Sequence, residues 1–227
     1  SGGNQAAAEG TDAGGSGGSN FWNSEENGAS AGTPANLNVT VDYSDFDVLD
    51  TWDDDACRIE LQDGGASISG SGAEAEQREY YVVKITEGGT YVISGSLENG
   101  QIYVEAGENQ VHLVLNGAAI SCNASAPIYI NNGRKTVITL AAGTENILTD
   151  GTDYTYSVTE TDAETGEVTG EPNAALFSKK ALTMNGSGSL SVTGNFNNGI
   201  TCKDELKIMN GTITVTAKNH GIRGNDF

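Results

Sequence analysis

From residue 57 onward the chain alternates apolar and polar side chains in short runs. Arg58-Ile59-Glu60-Leu61 and Ala66-Ser67-Ile68-Ser69 do so, and Tyr80–Ile85, Thr90–Ser94, Gln101–Val104, Val111–Leu115, Ile128–Ile130 and Val137–Leu140 continue as short runs rich in β-branched and aromatic residues. Period-2 alternation over four to six residues, punctuated by Asn-Gly, Ser-Gly and Thr-Gly, predicts strands rather than helices. Towards the C-terminus the runs repeat. Ala174–Lys180 precedes Asn198–Asp204 by 24 residues, and that block precedes His220–Asp226 by 22. Between these blocks Leu182/Met184 fall over Leu206/Ile208, and Leu190/Val192 over Ile213/Val215. Three short strands in each period of about 22–25 residues predict an all-β parallel β-helix, a single-stranded solenoid whose coils bury their inward side chains by stacking.

Two segments depart from this pattern. Residues 1–38 predict a flexible Gly/Ser-rich tether, since the first 36 contain nine Gly, four acids and no Lys or Arg. Its Ser-Gly-Gly opening has the style of a mature bacterial surface lipoprotein. Residues 39–227 then form the β-helix domain, interrupted at 151–172, where Thr-Gly and Gly-Glu-Pro turns predict a protruding hairpin that carries Tyr154 and Tyr156. The chain stops at Phe227 without a polar cap, so a continuation beyond 227, or a second molecule covering the last coil, is expected.

Charge narrows the partners. Eleven basic residues face 31 acidic ones, a formal charge of −20, which argues against nucleic acid and for cations. The distribution is uneven: residues 41–79 hold twelve acids against Arg58 and Arg78, whereas residues 179–227 hold six bases against three acids. Cys57, Cys122 and Cys202 show no CxxC or Cys/His spacing, so neither a disulfide framework nor a zinc site is indicated. No run is apolar enough for a transmembrane helix.

Several motifs, in order, carry a resemblance. Leu115-Asn116-Gly117, Gly143-Thr144-Glu145-Asn146-Ile147-Leu148-Thr149-Asp150-Gly151, Asn173–Lys179, Asn185–Leu190 and Gly199–Ile208 closely resemble the carbohydrate-binding domain family of clostridial and related bacterial surface proteins. The resemblance spans residues 39–227. It implies a right-handed parallel β-helix similar to pectate lyases, extracellular and secreted or lipid-anchored, with calcium as cofactor. It further implies binding of plant-wall or acidic polysaccharide, such as polygalacturonate or cellulose, without clear lyase activity. Where that family usually carries Asp, this chain has Lys180, Asn198 and His220; Asp204 and Asp226 keep the carboxylate.

Adjacent strands lie about 4.8 Å apart, so equivalent Asp204 and Asp226 would stack and attract a cation. Asp150 and Glu205 complete the candidate metal ligands. Lys179, Lys180, Lys203, Lys207 and Arg223 form a basic ledge for uronates, and Tyr154 and Tyr156 are the aromatic candidates for carbohydrate. Two other classes remain. A pectate-lyase-like elimination would need one of the four lysines as base, and an uncapped strand edge would permit end-to-end filaments.

Overall fold

The computed structural model describes residues 42–161, 163–166 and 168–226. The expected tether, residues 1–38, lies outside the described residues. Eighteen strands follow in chain order: β1 (Cys57–Gln62), β2 (Gly65–Ser69), β3 (Ala73–Gln77), β4 (Tyr81–Ile85), β5 (Gly89–Leu97), β6 (Gly100–Glu105), β7 (Gln110–Cys122), β8 (Ile128–Asn132), β9 (Lys135–Leu140), β10 (Glu145–Asp150), β11 (Val158–Thr161), β12 (Val168–Glu171), β13 (Ala174–Ser178), β14 (Leu182–Gly186), β15 (Ser189–Gly194), β16 (Asn198–Ile208), β17 (Thr212–Ala217) and β18 (Ile222–Asp226). No helix occurs among the described residues.

Alternation places one side of each strand inside. In-register parallel pairing then lines up equivalent side chains into apolar columns. Ile59, Ile93, Leu115 and Leu140 form one column. Val83, Ile102, Ile128, Leu176 and Ile200 form a second, and Leu97, Ile120, Leu148 and Val192 a third. All of these side chains are buried in one continuous core. Complete burial of an Ile or Leu is worth about 1.5–3 kcal/mol, so these columns dominate the favourable side of folding.

The structure corrects the expected right-handed parallel β-helix. Sixteen strands form one mixed sheet that curls into a nearly closed barrel, while β11 and β12 pair separately. β1 and β2 fold back on each other antiparallel, with Ile59 opposite Ile68, and so do β3 and β4, with Ala75 opposite Val83. The reason is local. β1 and β2 are joined by Asp63-Gly64, with Gly64 at φ +73°, and Asp-Gly is a strong two-residue hairpin signal. Alternation and repeat spacing alone do not distinguish a strand that folds back from one that stacks.

A strap of residues 42–52 lies on the outside of β9, β14 and β16. Its anchor is Asp47, whose buried carboxylate meets Lys135 Nζ at 2.5 Å and Lys207 Nζ at 3.5 Å and accepts hydrogen bonds from the Thr183 and Ser44 hydroxyls. Burial raises the Asp47 pKa, but bonds from Lys135, Thr183 and Ser44 outweigh it and hold the carboxyl well below its ordinary range. Behind the strap runs a polar relay. His112 Nε2 lies 2.8 Å from Thr139 Oγ1, which donates to Asn185 Oδ1 at 2.6 Å; Asn185 Nδ2 donates to the carbonyls of Asp47 and Leu49 at 2.9 and 2.8 Å. Thr90 Oγ1 lies 3.4 Å from His112 Nδ1, which fits a neutral imidazole protonated at Nε2.

Two predictions follow from the strap. Asp47→Ala, which leaves two lysines without their buried partner, is expected to cost about 3 kcal/mol in denaturant unfolding at neutral pH. Burial, partly offset by Asp50, pushes His112 from 6.5 down to about 4. The unfolded chain therefore binds the extra proton between those values, so stability is complete above pH 6.5 and falls by about 3 kcal/mol as pH drops towards 4. His112→Gln should flatten that part of the stability–pH curve, and an unchanged slope would refute the assignment.

Candidate functional site

The strands β13, β16 and β18 set Phe177 beside Thr201 and Thr201 beside Arg223. This is the outward face of the second column row, and its chemistry changes along its length. Tyr103 and Tyr129 meet edge to face at 5.3 Å, and Tyr129 and Phe177 at 5.4 Å, with Ala126 and Ala174 packed alongside. At the next two strands the aromatic run gives way to a hydroxyl and a guanidinium.

The antiparallel hairpin β11–β12 adjoins this point. Between hairpin and sheet lies a cavity of about 370 Å³, lined by Glu160, Glu171, Asn173, Phe177, Thr201, Lys203, Arg223 and Asn225. Thr201 is only 4% exposed, and its Oγ1 has no hydrogen-bond partner in the protein. A buried hydroxyl left unbonded costs stability unless something entering the cavity bonds it. Arg223 is exposed and, among the described residues, has no ion-pair partner. Glu171 is engaged twice, by Lys179 Nζ at 3.2 Å and by Lys203 Nζ. Burial raises its pKa, yet the two lysines outweigh that effect and keep the carboxyl below its usual value. Asn225 Nδ2 donates to the Lys203 carbonyl at 2.7 Å, which ties β18 to β16.

Of the basic ledge, Lys203 and Arg223 thus line the cavity and Lys179 reaches it through Glu171. Lys180 is elsewhere, at the corner between β13 and β14, where its carbonyl accepts from Ser178 Oγ at 2.6 Å. Lys207 belongs to the Asp47 cluster, bonded also to Glu205 Oε1 at 3.0 Å. Tyr154 stacks on Phe196 at 4.2 Å and 12°, and Tyr156 meets the same ring edge-on at 5.8 Å, so both pack the base of the hairpin. Gly170 on β12 is required there, because a Cβ would come within 2.2 Å of the Tyr156 ring.

Of the four carboxylates put forward for calcium, the three described ones have separate partners. Asp150 accepts from Tyr154 Oη at 2.8 Å and from the Asn195 amide, and burial raises its pKa. Asp204 is exposed and accepts from the Glu205 amide at 2.9 Å. Glu205 is bound to Lys135 and Lys207. The register slips after Cys202, so Asp226 pairs with Glu205 and not with Asp204; the Asp226 side chain lies outside the described residues. Among the described residues no three His, Cys, Asp or Glu side chains converge.

Sequence reasoning passed over Thr201, Glu160, Glu171, Asn173 and Asn225. The stacked blocks already aligned Phe177, Thr201 and Arg223, but burial of one hydroxyl beneath a hairpin has no signature in a repeat.

Comparison with known proteins points to carbohydrate. A family described as carbohydrate-binding domain-containing protein matches residues 79–227. A carbohydrate-binding domain-containing protein of Acetivibrio thermocellus is 42% identical over 147 residues, 64% of this chain and 48% of that protein, so the chain spans about half the length of its relative. A solved structure described as the polysaccharide lyase-like protein from C. thermocellum, a gadolinium derivative, superposes with a TM-score of 0.67 at 38% identity, covering 75% of this chain and 65% of that one.

Glu171 neutralises two of the bases at the cavity. Glu171→Gln is expected to raise affinity for an anionic oligosaccharide several-fold at low salt, with the gain vanishing at high ionic strength, as read by titration calorimetry.

Proposed function

The chain belongs to the carbohydrate-binding domain-containing protein family, and we propose that it binds acidic polysaccharide, without turning it over, in the cavity beside the β11–β12 hairpin. The observation that carries this reading is the buried, unbonded Thr201 hydroxyl next to the unpaired Arg223. A uronate carboxylate matches the planar guanidinium through two parallel bonds, and the Thr201 hydroxyl, Asn173 and Asn225 supply donors and acceptors for the sugar hydroxyls. A cavity of about 370 Å³ has the size of a small-ligand site. Glycan length beyond that unit would extend over the exposed Lys203 and the half-buried Lys179.

Calcium is not required by this proposal, because Arg223 and Lys203 supply the positive charge a uronate needs at the cavity. Lys203, the lysine in the cavity that elimination chemistry would require as base, is spent in its ion pair with Glu171. We place the protein outside a bacterial cell, where wall polysaccharide is met; the Gly/Ser-rich composition of residues 1–38 suits a spacer between an attachment point and the domain.

Affinity electrophoresis on polygalacturonate tests the reading. Retention should survive a calcium chelator, fall steeply with added salt, and weaken about tenfold in Arg223→Ala. Thr201→Val should also weaken retention, while its free protein gains on the order of 1 kcal/mol from losing an unbonded hydroxyl. Binding that chelator abolishes, or that both variants leave untouched, would overturn the proposal.

A further inference from the structure

A second cavity, of about 310 Å³, lies where the strap ends. It is lined by Asp50, Thr51 and Trp52 from the strap and by Thr139–Ala142, Gly186 and Ser187 from the sheet corner. It shares no lining residue with the cavity beside the hairpin. Trp52 and Asp50 also precede residue 79, where the family match begins.

We infer that this cavity is a binding subsite for a neutral, hydroxyl-rich pyranose, stacked on Trp52. The indole is partly buried and packs against Val92, Val114 and Ala141, which fixes the ring before any ligand arrives. A fixed aromatic platform binds at a small entropic cost. The strap backbone that presents it is held in turn, since the Leu49 carbonyl accepts from Asn185 Nδ2 at 2.8 Å. The cavity is also lined by polar groups without hydrogen-bond partners in the protein: the Trp52 indole N–H, the Asp50 carboxylate and the hydroxyls of Thr51 and Ser187. Room for a ligand comes from small residues. Ala141, Ala142 and Gly186 line the floor, and a Cβ at Gly186, whose φ is +90°, would lie 2.2 Å from the Leu140 carbonyl oxygen.

The chemistry selects the sugar class. A pyranose presents C–H bonds on one face, which suit the electron-rich indole, and hydroxyls at its rim, which suit a carboxylate acceptor and hydroxyl partners. Charge excludes the alternative. Asp50 has no ion-pair partner, Asp53 and Asp55 follow it in exposed positions just after the strap, and Asp54 has only a 3.7 Å contact to an exposed Arg58. A uronate would meet net negative charge here, whereas it meets Arg223 at the other cavity. The two sites together would grip a mixed glycan, or two different glycans, by opposite chemistry.

The chain has two tryptophans, Trp22 and Trp52. In a Trp22→Phe background the emission of Trp52 reports this subsite alone. Titration with cellohexaose, xylohexaose and mannohexaose is expected to shift that emission saturably with at least one of them, and a galacturonate hexamer to leave it unchanged. Asp50→Asn should weaken the neutral ligand several-fold without disturbing the indole. Ala142→Phe, which fills the cavity at an exposed position, should abolish the shift, and Trp52→Ala should weaken calorimetric affinity about tenfold while leaving polygalacturonate retention intact. Emission insensitive to all three neutral hexamers overturns the inference. So does a neutral-ligand affinity that Asp50→Asn and Ala142→Phe both leave unchanged, a result that stands even if Trp52→Ala fails to fold.

Discussion

Most of this molecule answers to one constraint: parallel strands pair in register, so a side chain's nearest lateral neighbours are its own counterparts one repeat away. At the spacing of adjacent strands, about 4.8 Å, a column must be compatible with itself. Apolar columns satisfy this trivially and fill the interior. An aromatic column satisfies it by turning successive rings, as Tyr103, Tyr129 and Phe177 do with interplanar angles of 84° and 74°. A polar pair satisfies it by matching donor to acceptor, as Thr139 and Asn185 do, with His112 reaching Thr139 diagonally from β7. A column of like charges satisfies it poorly, and the pairing of Glu205 with Asp226 comes only where the register shifts.

Function enters where a column changes character. Phe177 gives way to Thr201 and Arg223, and that change, roofed by the hairpin, makes a cavity with an unbonded hydroxyl in its wall. The polar relay ends likewise at Asn185, whose amide has no further strand to bond and is taken up by the strap carbonyls. Asp47 then serves two ends at once. It neutralises Lys135 and Lys207, and it holds in place the backbone that carries Trp52.

The repeat was the most legible feature of the sequence. The alignment of Ala174, Asn198 and His220 places the right residues side by side through Cys202, because a 24- or 22-residue offset of alternating apolar positions is a local pattern. It failed one corner later. A register slip between Cys202 and Glu205 is a backbone event, invisible to column counting, and it separates Asp204 from Asp226. The barrel-like closure and the antiparallel start were also missed, although Asp63-Gly64 announced one fold-back in two residues. Lys203 and Arg223 were legible as bases, but not the burial of Thr201, which depends on a hairpin that the repeat does not contain. Asp47 was illegible for another reason: it sat among many acids, and its partners Lys135, Thr183 and Lys207 lie far along the chain.

The hairpin β11–β12 pairs only with itself, outside the sixteen-stranded sheet. Its side chains are therefore released from the requirement of matching a neighbour in the next repeat. Substitutions on β11 and β12, or a change in the length of the turn between them, can reshape the roof of the cavity while every column beneath stays as it is. The architecture separates the residues that choose a ligand from those that keep the fold, so specificity can drift in one without eroding the other.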